Sequence, residues 1–376
     1  MSATTTMAVE EPRYEFYYRE NTWDNKRQVL TGSRCIDTFS EIPLVDISRI
    51  FSPKLEERKA VAQAITNVCQ RVGFMYISNH GISQELVDKV FAMSAAFHAQ
   101  LKEIKQECYT HNNKELRGWN EHSVNTPRGP VHGPRLKVRV AKKGSFLYSY
   151  EPDNDPVPPQ LTAEQRAMCL GTYNQWPTKP DGFKETMLRY QRELLTLSRK
   201  LMQSIALGLG CEETYFDTHV TAPFVSIILQ HYLPMHPDAE DPNSLGAHTD
   251  YETFTILNQD ATGGLEVLNK NGIYIPAPYI PNTFVVNMGD FLERITNDKV
   301  VSTVHRVRNV SGRQRYSIPF FFSFNMDSDM GVIPSCASET NPAKYGPRNL
   351  FEFTKEMRAR QKRKYTTGEK HGIDAN

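Results

Sequence analysis

His248, Thr249 and Asp250 form an H-x-D. In extended backbone, residues two apart project to the same side, so one imidazole and one carboxylate can reach a common ion. His305 lies in a second β-like stretch, where Val301, Thr303, His305 and Val307 alternate onto one face. A histidine on such a face serves as readily as a satisfied core residue. Brought beside the H-x-D, it completes a set of two histidines and one carboxylate. That set leaves three positions open on an octahedral ion and suits non-haem Fe(II) with O2. Arg315 and Ser317 form an R-x-S that again shares one strand face. A guanidinium grips a carboxylate through parallel hydrogen bonds and a hydroxyl adds another, so this pair could anchor an acidic cosubstrate. Tyr232, in Gln230-His231-Tyr232-Leu233-Pro234, could add its phenol to the same carboxylate.

These residues need strands to carry them. From Phe224 to Met326 short apolar runs recur about every ten residues, the rhythm of an antiparallel sandwich or barrel. Strands are expected at Val225–Leu229, Thr253–Leu257, Gly264–Leu268, Ile273–Ile275, Phe284–Asn287, Val300–Val310 and Tyr316–Phe324, with a hairpin turn at Asn271-Gly272. Gly289-Asp290 reads as a turn between strands. Upstream, Ile42–Ile47 reads as a strand. Ser52-Pro53 starts a helix in which Val61, Ala64, Ile65, Val68 and Cys69 recur at helical spacing, and Gly73 ends it. Phe74–Ile77 is a strand, Asn79-His80-Gly81 a turn, and Ser83 caps a helix through His98. A long helix from Gly182 to Leu207 carries the stripe Met187, Tyr190, Leu194, Leu197, Leu201 and Ile205. Beyond Pro347 a last helix is expected, with Leu350, Phe351, Phe353 and Met357 inward. The boundaries read as an irregular segment over 1–40, a helical and strand region over 41–220 with a long substrate loop at 105–165, a barrel over 221–327, and a C-terminal helix and tail over 328–376.

Composition bounds what this scaffold does. The chain has 376 residues, 39% hydrophobic and 23% charged, with 44 Lys+Arg against 43 Asp+Glu. Such a balance suits a soluble protein with a sizeable core and argues against nucleic-acid or membrane-surface partners. The N-terminal residues lack the basic and apolar regions of a secretory signal, and no stretch is apolar for long enough to span a bilayer. Six dispersed cysteines without a C-x-x-C pair suit free thiols in a cytoplasmic protein. The local basic cluster Arg135, Lys137, Arg139, Lys142 and Lys143 has little aromatic interleaving and reads as a solvated strand face.

The order IPLVDIS, GFMYISNHGI, HTDYETFTIL, GGLEVL, NMGDFLERITN, STVHRV and RYSIPFFFS resembles the isopenicillin N synthase-like branch of the Fe(II)/2-oxoglutarate-dependent dioxygenases, from Ile42 to Asn325. The resemblance implies a mainly β double-stranded β-helix, or jelly roll, with flanking helices. It implies His248, Asp250 and His305 as iron ligands, Arg315 and Ser317 as anchors of 2-oxoglutarate, and Tyr232 as their helper. Plant relatives read N-Y-Y-P where this chain has Gln230-His231-Tyr232-Leu233, so Gln230 stands in place of the Asn. The implied reaction oxidises an unactivated C–H of a small molecule, by hydroxylation, desaturation, ring closure or rearrangement, in specialised-metabolite biosynthesis. Oxidases of the same branch that do not use 2-oxoglutarate also carry H-x-D, His and R-x-S, so these motifs leave the cosubstrate open. A non-catalytic jelly roll would be marked by loss of a ligand, and none is missing. Trp119, His122, Phe146, Tyr148 and Phe322 are candidates to line the substrate pocket, with Ile256 and Phe320 on the apolar barrel wall.

Overall fold

The long helical stripe forms as its spacing demands. In a computed structural model, which describes residues 13–19, 22–121, 143–234, 243–352 and 355, a helix spans Phe183–Gly208 and buries Met187, Tyr190, Leu194, Leu197, Leu201 and Ile205 on one side. Each such side chain removed from water contributes about 2 kcal/mol. Helices Leu55–Arg71 and Gln84–His98 pack against it. Ser83 caps the latter, its hydroxyl accepting from the Leu86 N–H at 3.3 Å. At Gly73 the chain takes φ of +71°, and a Cβ there would run into the Val301 carbonyl, so only glycine fits.

Among the described residues two facing sheets make the jelly roll. The larger has eight strands in the order Leu44–Asp46, Phe74–Ser78, Thr283–Met288, Phe254–Gln259, Arg315–Asn325, Pro223–Tyr232, Lys143–Ser149 and Gly118–Asn120. The smaller has six, in the order Tyr274–Ala277, Leu265–Leu268, His305–Arg308, Asn243–His248, Arg13–Arg19 and Thr22–Val29. The three helices cover the outer face of the larger sheet, where Ile227, Leu229, Phe254, Ile256, Ile318, Phe320 and Phe322 join one core with the helical stripe. The inner faces share a second core of Tyr76, Tyr232, Leu265, Val267, Ile275, Val285 and Val307.

Several expectations change. The segment 1–40 is not irregular throughout, because Arg13–Arg19 and Thr22–Val29 pair as a hairpin and extend the smaller sheet. The barrel is not confined to 221–327, since strands from 44–46, 74–78, 118–120 and 143–149 complete the larger sheet and make part of the expected 105–165 loop regular. Gly289-Asp290 leads into a short helix, Asp290–Ile295, rather than a simple turn. The strand bearing His305 also begins only at His305, after an irregular run through Val304. Most of the expected C-terminal helix lies outside the described residues, as do His122 and the basic cluster up to Lys142; Leu350 is buried.

His98 is a buried structural residue. Its Nε2–H donates to the Leu229 carbonyl at 3.2 Å. Burial, reinforced by His231 alongside, pushes its pKa down to about 3 from an ordinary 6.5. Below pH 6.5 the unfolded chain therefore binds a proton that the folded chain refuses. Stability from this site is full above pH 6.5 and falls as the pH drops toward 3, by a few kcal/mol in total. Urea unfolding of His98→Gln, which keeps an N–H donor without titrating, should show a shallower loss between pH 6.5 and 4 than the parent chain. Parallel curves would remove His98 from the acid response.

Candidate active site

The facing strands Asn243–His248 and His305–Arg308 pair antiparallel with His305 abreast of His248. Both imidazoles reach inward, with ring centroids 4.1 Å apart. His248 turns its Nδ1–H to the Gly246 carbonyl at 2.8 Å, and His305 turns its own to the Thr303 carbonyl at 3.1 Å. Those bonds assign the proton to Nδ1 in each ring, so each Nε2 presents a lone pair of the kind that binds a metal. Both Nε2 atoms lie 3.8 Å from Asp250 Oδ1. The other oxygen, Oδ2, accepts from the Thr255 hydroxyl at 2.6 Å and the Asn287 amide at 2.8 Å. Burial alone would push the Asp250 carboxyl up. His305 and His248 beside it, with the bonds from Asn287 and Thr255, outweigh that cost and hold it below the ordinary carboxylate value. Three ligand atoms thus converge within 4.8 Å of one another, and every other polar atom of the three side chains with a bond described above points away from that centre. The donor set, two neutral imidazoles and one carboxylate, fits a ferrous ion.

Strand register continues the site across the larger sheet. Thr255, which touches Asp250, lies abreast of Phe321, and Phe321 of Ser226. Two residues along, Leu257, Pro319 and Ile228 share the face; two further, Gln259, Ser317 and Gln230 do so. The row ends with Arg315 opposite Tyr232. Arg315 is 1% exposed. Its Nε donates to the Gly263 carbonyl at 2.5 Å and its Nη1 to Ser317 Oγ at 2.9 Å. Its Nη2 is buried with no hydrogen-bond partner, and so is Gln230 Oε1. A buried guanidinium nitrogen without an acceptor is costly, which fits a site meant to receive an anion. Tyr232 places its ring against the guanidinium, 4.9 Å from centroid to Cζ, and supports Arg315 by a cation–π contact.

The expected pocket residues are not on this face. Phe322 stacks on Phe254 at 5.1 Å, and alternation puts both on the opposite side of the sheet from Thr255. Phe146 and Tyr148 pack with Phe97, Phe183 and Trp176 in the helix-side core, and Trp119 lies abreast of Phe146. Ile256 and Phe320 belong to that same core. All six follow β periodicity onto the wrong face, and their reading as pocket residues is corrected to core. Ser226, Phe321 and Ile228 share the face of Thr255, beside the His248, Asp250 and His305 cluster. Thr255 and Asn287 were missed, although a buried polar residue inside an otherwise apolar strand signals each. Glu252 was missed as well. It is buried, and burial together with the charges of Asp250 and Asp290 pushes its carboxyl up to about 8.

Fold and site define a jelly-roll oxygenase of the non-haem iron class, and sequence comparison agrees. The 2OG-Fe(II) oxygenase superfamily matches residues 224–324, and the N-terminal region of non-haem dioxygenases in morphine synthesis matches residues 42–179. A curated relative from Metarhizium rileyi, "2-oxoglutarate-Fe(II) type oxidoreductase ppzC", is 38% identical over 81% of this chain and 83% of its own. A "1-aminocyclopropane-1-carboxylate oxidase" of Dictyostelium mucoroides is 32% identical over 84% of this chain and 91% of its own. Among solved structures, a full-length Neurospora crassa protein in complex with alpha-KG and thymine superposes with a TM-score of 0.71 at 29% identity, covering 86% of this chain and 98% of that one. The chain belongs to the isopenicillin N synthase-like family of Fe(II)/2-oxoglutarate-dependent dioxygenases. It is an enzyme whose cofactor is Fe(II) and whose cosubstrates are 2-oxoglutarate and O2. No helix among the described residues is long and apolar enough to cross a membrane.

Proposed function

We propose that His248, Asp250 and His305 hold the iron, that Arg315 and Ser317 hold the far carboxylate of 2-oxoglutarate, and that the enzyme oxidises an unactivated C–H of a small molecule in specialised-metabolite biosynthesis. The observation that carries this reading is the convergence of two Nε2 atoms on Asp250 Oδ1, with each Nδ1 tied to a carbonyl. Iron, O2 and 2-oxoglutarate supply the oxidising power, and the cosubstrate leaves as succinate and CO2. The chain's own residues do the rest. Asp250 cancels one of the two ferrous charges, so the centre still favours an anionic chelator. Arg315 sets the depth of that chelator by holding its other end. Leu257, Pro319 and Ile228, lying between the two anchors, keep water from the reacting centre. Phe321 and Ser226 stand abreast of the residue bonded to Asp250, so they meet the substrate. A small substrate fits the relative solved with thymine. The cysteines are all free, which supports work in the cytoplasm.

The test is substrate-triggered decarboxylation. Small acids, amino acids, terpenoids, polyketides and planar heterocycles such as thymine are screened for succinate released in step with product. One compound class should raise succinate well above the uncoupled rate. Product formed without succinate would instead show an oxidase that does not need 2-oxoglutarate.

A further inference from the structure

The hairpin Arg13–Arg19 and Thr22–Val29 precedes the family matches, which begin at residue 42, yet it joins the smaller sheet beside the strand that ends at His248 and packs on the run that leads into His305. Tyr18 pairs in parallel with His248 itself. Tyr17 and Val29 are buried in a small cluster with Leu268 and Val304, and Ala247 packs on it. Ala247 immediately precedes His248, and Val304 immediately precedes His305. By strand alternation Ala247 points to the back of the sheet while His248 points forward, and Val304 is buried in that same back cluster. One element therefore backs both imidazoles at once.

A polar tie accompanies the packing. Arg27 donates from Nη1 to the Ser302 carbonyl at 3.0 Å, and its guanidinium lies 5.5 Å from the Tyr17 ring. Ser302 adjoins Thr303, whose carbonyl takes the Nδ1–H of His305. This run precedes the regular ladder that begins at His305, so side chains hold it in place. Besides Arg27, Glu293 accepts the Ser302 N–H at 3.0 Å, and the Thr303 hydroxyl donates to the Val72 carbonyl at 2.7 Å.

We propose that the N-terminal hairpin is part of the metal centre's framework, with Arg27 and Tyr17 as positioning residues for His305 and His248. The inference rests on the reading of these histidines as ligands. Groups that orient a metal-bound imidazole typically change metal affinity 10–100-fold. Co(II) titration of the full chain, followed by its visible absorption, tests the idea. Arg27→Met keeps the side-chain length and removes the bond to the Ser302 carbonyl. It should bind Co(II) about tenfold or more weakly and shift the absorption bands. Arg27→Lys, which can donate to the same carbonyl, should recover part of both. Tyr17→Leu keeps the apolar packing without the ring under Arg27 and should move both readouts in the same direction, so the test survives if Arg27→Met does not fold. Arg58→Met, which breaks the remote Arg58–Glu213 pair, should lower the melting temperature and leave Co(II) binding alone. Parental affinity and spectrum in Arg27→Met and Tyr17→Leu overturn the proposal. Equal weakening in Arg58→Met overturns it too, since the effect is then one of general stability. Co(II) binding that survives His248→Ala overturns the ligand reading instead, and the two failures are thereby distinct.

Discussion

Asp250→Ala loses ferrous iron and turnover together, while the chain still folds. The carboxylate is the one anionic group in the cluster, and its Oδ1 is the point on which both Nε2 atoms converge. Without it, two neutral imidazoles face a dication with no compensating charge in a buried site. Turnover is expected to fall at least ~1000-fold, about 4 kcal/mol of lost transition-state stabilisation. The fold tolerates the change because two costs oppose each other. The Thr255 hydroxyl and the Asn287 amide lose their acceptor, at about 1–3 kcal/mol each, but a desolvated carboxylate beside Glu252 and Asp290 is also removed. Bound iron measured by elemental analysis, together with a thermal melt, checks both halves. A variant that folds, retains iron and turns over at the parental rate would remove Asp250 from the metal.

Arg315→Met leaves iron binding intact and raises the 2-oxoglutarate requirement on the order of a hundredfold. Arg315 spends Nε on the Gly263 carbonyl and Nη1 on Ser317, and keeps Nη2 without an acceptor in the interior. A carboxylate arriving there gains charge-assisted bonds worth about 1.5–3 kcal/mol each, which sets the size of the loss. Met preserves volume over Tyr232, so the neighbouring core should repack little. Because the interaction belongs to cosubstrate binding, the apparent KM for 2-oxoglutarate should rise far more than kcat falls. An unchanged KM would take the guanidinium out of that role. A collapse of kcat with KM constant would point to a structural part for Arg315 instead.

How far these residues could be found without coordinates depends on the range of the signal. H-x-D and R-x-S each lie within three residues, and β periodicity alone puts their two ends on one side. The stripe from Met187 to Ile205 likewise predicts a buried helical face from local spacing. Which side of a sheet faces the metal is a different question. Phe146, Tyr148 and Phe322 are aromatic residues on strands beside the site, and nothing local says that helices cover their face. The face is set by Thr255 and Asn287 reaching Asp250, the latter from a strand 37 residues further along the chain. The N-terminal hairpin escaped for the same reason. Its residues are polar and aromatic without clear alternation, and its stability comes from joining the smaller sheet beside His248.

By itself, then, the order of residues determined the kind of chemistry: two imidazoles, one carboxylate and a guanidinium on strands that repeat at jelly-roll spacing. Only the tertiary structure decided which atoms meet. The meeting of both Nε2 atoms at Asp250 Oδ1, the partnerless Nη2 of Arg315, and the hairpin behind both histidines all depend on neighbours brought in from elsewhere in the chain. The physical reason is that side-chain direction along a strand is a local property with a period of two, whereas partners, burial and the inner face of a barrel arise only when sheets close on one another.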